Sequence, residues 1–124
     1  MLKKTFTYTD YNGIERTEEH FFNLTKAEVL ELEATTTGGL SEYIKRIVAA
    51  QDMPAIFDIF KKIVMLSYGK KSDDGRRFMK KDRDGYPFAE EFAQTEAFSE
   101  LLTELATDDK AAADFMNGIV PKQN

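Results

Sequence analysis

The sequence has no cysteine and no tryptophan, and only one histidine and three prolines among its 124 residues. Without cysteine there are no disulfides, no thiolate nucleophiles and no thiolate metal ligands, and a reducing compartment suits the chain. With His20 as the single histidine, proton exchange near neutral pH lacks its usual agent. No run approaches the ~20 apolar residues of a membrane span. The opening Met1-Leu2-Lys3-Lys4-Thr5-Phe6-Thr7-Tyr8 also lacks the apolar core of a signal peptide. These absences predict a soluble, cytoplasmic protein that is no enzyme, needs no cofactor or metal and has no membrane partner.

What is present fits a single domain over residues 1–124. Hydrophobic residues make up 42% and charged residues 31%, which excludes wholesale disorder. The net charge of −5 is uneven: −2 over residues 1–69, +3 over 70–86 and −6 over 87–124. An acidic C-terminal third argues against broad binding to phosphate backbones, so nucleic acid is not an expected partner.

The patterning predicts an α+β fold, mostly helical, with an N-terminal β-hairpin (1–23) and about five helices in a small bundle. Thr5 to Tyr11 alternates β-branched and aromatic residues, and Asn12-Gly13 supplies positive φ angles for a tight turn. A helical core is expected over 24–69. Thr25 and Glu28 form a capping box for a helix to about Ala34, and the run Thr35-Thr36-Thr37-Gly38-Gly39 stops it. A second helix is expected from Leu40 to Gln51, striped by Tyr43, Ile44, Ile47 and Val48. Asp52 and Pro54 open a third, which Gly69 should end in left-handed conformation. Residues 70–86, with two Asp-Gly turns among charges, read as an exposed connection. Helices return over 87–120, with a short turn at Phe88–Phe92, a helix from Glu96 to about Ala106, and a last one capped by Asp108 or Asp109 and ended by Gly118 and Pro121. The tail Lys122-Gln123-Asn124 is expected to fray.

Candidate chemistry is sparse. His20 reads as a residue on the rim of the sheet. Gly38-Gly39 before a helix could hold an anion, but it lacks the lysine and spacing of a P-loop and reads as a helix-to-helix turn. Asp82, Asp84, Gly85 and Glu91 match a calcium loop in part, yet Lys80 would take its first ligand position. Arg76, Arg77 and Phe78 could contact an acidic protein surface, or nucleic acid if the chain were a regulator. Surplus apolar surface on the third and last helices makes Phe57, Val64, Phe115, Met116 and Ile119 the further candidates for partner binding.

Several stretches together resemble the tail assembly chaperones of siphophages that infect Gram-positive bacteria. They are Phe6 to Gly13, Phe22 to Glu28, Gly38-Gly39-Leu40 leading into Ile47 to Asp52, Tyr68 to Phe78, and Thr95 to Leu101. The resemblance implies a protein that binds the helical tape measure protein and keeps it soluble until tail tube protein polymerises around it. It also implies a longer, frameshifted product that recruits the tube protein, residence in the cytoplasm of the infected host, and absence from the mature virion. Self-association stays open. A structural tail or head-tail connector subunit is the competing reading, and it would remain in the particle.

Overall fold

In the computed structural model, residues 1–121 are described; the predicted fraying of Lys122 to Asn124 lies outside them. Strand β1 (Leu2–Thr9) turns back into β2 (Glu15–Phe22) with Leu2 opposite Phe22 and Thr9 opposite Glu15. The loop is Tyr11-Asn12-Gly13, closed by the Asp10 amide on the Ile14 carbonyl. Gly13 alone takes a positive φ, 79°, so the turn is the three-residue type ending in a left-handed glycine. A second positive φ, expected at Asn12, is not used. The Asp10 carboxylate accepts from the Asn12 and Ile14 amides, and Arg16 donates to it at 2.6 Å.

Helix α1 (Lys26–Thr35) begins at the capping box: Glu28 N–H donates to Thr25 Oγ1 while Thr25 N–H donates to Glu28 Oε1. Two left-handed glycines, Gly38 and Gly39, turn the chain into α2 (Leu40–Ala49). Helix α3 (Met53–Ser67) starts where Asp52 accepts from the Ala55 amide, with Pro54 in its first turn. Short α4 (Phe88–Phe92), then α5 (Glu96–Thr107) capped by Thr95, then α6 (Asp109–Ile119) capped by Asp108 complete six helices among the described residues.

Three expectations need correction. Gly69 does not end α3 in left-handed conformation; the chain passes straight into β3 (Tyr68–Lys71), which pairs with β2. A side chain on Gly69 would meet the Phe78 ring at 2.5 Å and the Met79 carbonyl at 2.6 Å, so this glycine is there for close approach. Residues 70–86 are accordingly more than a connection. They hold β4 (Phe78–Met79), which completes an antiparallel sheet in the order β1-β2-β3-β4. Gly118 likewise lies inside α6, where Leu2 packs within 3.0 Å of the space a Cβ would fill.

The inner face of the sheet explains the aromatic content. Phe6, Phe22 and Tyr68 converge with Phe92 of α4, whose ring stacks on Tyr68 at 4.4 Å and 10°. Phe22 is fully buried and also meets Phe115 edge-on at 5.3 Å. Each such side chain contributes about 1.5–3 kcal/mol by burial, and favourable ring pairs add about 0.5–1.5 kcal/mol. Helices α4, α5 and α6 cover this face, α3 packs on α5, and α2 packs outermost on α3.

A polar thread crosses the aromatic cluster. Tyr8 OH donates to Glu18 at 2.7 Å, His20 Nε2 lies 3.3 Å from the same carboxylate oxygen, and its Nδ1 lies 2.8 Å from Tyr68 OH. The Tyr8 hydroxyl holds the Glu18 carboxyl below the ordinary range, and burial pushes the Tyr68 phenol up to about 12. Lys80 is the second polar anchor. Its ammonium donates to the carbonyls of Leu66 and Asn23 and pairs with Glu28 at 3.3 Å, joining the ends of β2, α1 and α3. Burial lowers its pKa, with Glu28 opposing.

Candidate partner-binding groove

An apolar groove of about 280 Å³ crosses the helical side of the molecule. Its floor is the seam of α3 and α5, where Ile56, Phe60 and Leu105 show only their buried edges. One wall is α2, through Ile44 and Val48; the other is α6, through Ala112, Ala113 and Met116. The spacing follows from helix geometry, since 44 and 48, or 109, 112, 113 and 116, stack on one face at three- and four-residue intervals. Helix α2 buries Leu40 and Ile47, which leaves Val48 38% exposed at the rim. Among the described residues, Lys45 and Asp109 are the only charged ones lining the groove.

Other concavities are charged. One, at the β3–β4 hairpin, is lined by Asp73, Arg77, Lys81, Asp82 and Arg83; another lies between β1 and α6 among Lys3, Lys4, Glu104, Asp108, Lys110 and Asp114. Charged walls keep their water, so these hollows offer less to an apolar partner than the helical groove does.

The residues named from the sequence scatter over this structure. Met116 lines the groove. Phe57 is 37% exposed on α3, one turn before Phe60, beside 40%-exposed Met53; it stands next to the groove without lining it. Arg76 and Arg77 are exposed at the β3–β4 turn, and Phe78 is half-buried against Gly69, facing elsewhere. Val64, Phe115 and Ile119 are corrected: all three are core side chains, and none is open to a partner. They belong to stripes wide enough to reach both core and surface, and their helices turn them inward. Ile44 and Val48 went unassigned, although the α2 stripe was visible. The overlooked signal was its excess, because so short a helix needs only part of that stripe to anchor it.

The other candidate sites are filled by the chain itself. Glu33 reaches the N-terminus of α2 and accepts from the Leu40 amide at 3.1 Å, so the glycine turn already holds an anion of its own. Asp82 accepts from the amides of Asp84 and Tyr86, and Lys80 is committed to its carbonyls, which leaves no calcium loop. Among the described residues no cluster of three metal-ligating side chains occurs, and no helix is long and apolar enough to cross a membrane.

By fold, the chain is a small α+β module that presents an apolar groove between helices. It belongs to the phage tail assembly chaperone family, whose model matches residues 1–123. No curated protein and no solved structure matches it.

Proposed function

We propose that the chain binds the tape measure protein of its phage by seating a helix of that protein in the groove between α2 and α6. The observation that carries this reading is the groove itself: an apolar trough with a half-open Val48 and Met116 on facing walls, in a member of a tail assembly chaperone family. A helix in such a groove is held by apolar side chains at three- and four-residue spacing. Covering the client's apolar stripe keeps the client dispersed in the host cytoplasm. The small size of the trough suits a contact that tail tube protein can displace as it polymerises around the tape measure. The chaperone acts by binding alone, performs no chemistry, and is left out of the finished virion. A frameshifted longer form would bring the tube protein to the complex.

The test is co-expression with the tape measure protein encoded by the same phage. The reading expects the tape measure to remain soluble and to co-purify only when this chain is present. Failure of the two to associate, together with recovery of this chain from purified virions by mass spectrometry, would instead identify a structural tail component.

A further inference from the structure

We propose that the groove selects a client helix whose apolar stripe is bordered by acidic side chains on one side and basic side chains on the other. The proposal rests on the docking reading above and adds the chemistry of the occupant. The two walls carry opposite charge: Lys45 on α2 and Asp109 on α6. Both charges are available. Lys45 has one ion pair, Glu42 one turn away at 3.6 Å, and both side chains are more than two-thirds exposed, too wet to hold each other firmly. On α6 the ion pair joins Lys110 to Asp114 at 3.0 Å, leaving Asp109 unpaired among the described residues. The first turn of α6 favours the negative charge there. Between the walls lie Ile56, Phe60, Leu105 and the small Ala106, and Ala112 keeps the α6 wall low, so bulky client residues can reach the floor while the flanks meet the charges.

A helix laid along the trough thus turns acidic flank residues toward Lys45 and basic ones toward Asp109. Reversing a helix exchanges its flanks, so the same pair of charges also sets the direction in which the client runs.

The experiment uses the full chain and four labelled helical peptides of about 18 residues, roughly 27 Å long. They share one leucine stripe and differ in their flanks: neutral, opposed, all acidic or all basic. Binding is followed by fluorescence anisotropy at low and high salt. Lys45→Glu is expected to raise affinity for the all-basic peptide relative to the opposed one by about two- to fivefold. Asp109→Lys is expected to do the same for the all-acidic peptide. Both effects should shrink with salt, and each affinity is read relative to the neutral peptide on the same variant, which corrects for any change in the groove itself. A ranking that neither substitution moves overturns the flank inference and leaves groove docking standing. Failure of every peptide to bind, the neutral one included, overturns both. Sedimentation that shows a dimer abolished by Val48→Asp makes a second copy the occupant, and this too overturns the proposal.

Discussion

At the scale of the residue, two positions carry more than their type suggests. Lys80 lies in the most charged stretch of the sequence, yet its ammonium is half-buried on the carbonyls of Leu66 and Asn23 beside Glu28. Lys80→Met would keep the stem and leave those carbonyls without their donor. The expected loss is about 1–3 kcal/mol, read as a lower midpoint in urea unfolding. Among the described residues, Gln51 is the one non-glycine residue with positive φ, 54°. It ends α2 with its own amide donating to the Val48 carbonyl and the next amide to the Ile47 carbonyl, the paired hydrogen bonds of a left-handed helix stop. That conformation costs a side-chain-bearing residue about 1–2 kcal/mol, and glycine returns part of this as unfolded-state entropy. Gln51→Gly should therefore stabilise the protein by about 0.5–1 kcal/mol in the same assay, with the groove unaltered. The role of Lys80 was not legible in the sequence, because the carbonyls it binds lie 57 and 14 residues earlier; that of Gln51 was not because glutamine, unlike glycine, does not signal a left-handed helix stop.

At the scale of the element, helix starts were legible, whereas glycine helix stops and long-range strand pairing were not. Thr25 with Glu28, Asp52 with Pro54, and Asp108 all cap the helices they were expected to cap, since a cap is settled by neighbours three residues away. The strands β3 and β4 were missed. Tyr68-Gly69-Lys70-Lys71 and Phe78-Met79 are too short to show alternation, and β3 becomes a strand by pairing with β2, more than 40 residues earlier. The hairpin and the polar thread make a prediction of their own. Asp10 is held below the ordinary carboxylate range first by Arg16, and Glu18 first by Tyr8. A carboxyl whose folded pKa is depressed stabilises the fold above its unfolded pKa, and the stabilisation is lost as pH falls through the folded value. Denaturant melts should thus show stability falling from about pH 5 to pH 3. Tyr8→Phe, which removes the principal cause at Glu18, should make that fall shallower; an equal fall in both proteins would contradict the assignment.

At the scale of the whole molecule, the sheet and α4 to α6 enclose the aromatic core, and the apolar trough lies on the far side, between α2 and α6. The α+β class and the helical bulk were legible from periodicity. The groove was not, because its walls come from residues 44–48 and 109–116, which nothing in the sequence links. Amphipathic stripes showed which helices carry apolar surface, but not which edge of each stripe stays open. Hence half-buried Met116 lines the groove, while Phe115 beside it faces the core. The central claim is that the trough holds the tape measure protein, and photo-crosslinking in the co-expressed complex tests it most directly. A photoreactive residue is placed at Val48, on the groove wall, or at Leu30, which is 69% exposed on α1 and outside the groove. The account predicts a crosslink to the tape measure protein from position 48 and none from position 30. Crosslinking from 30 but not from 48, in a complex that still forms, would contradict it.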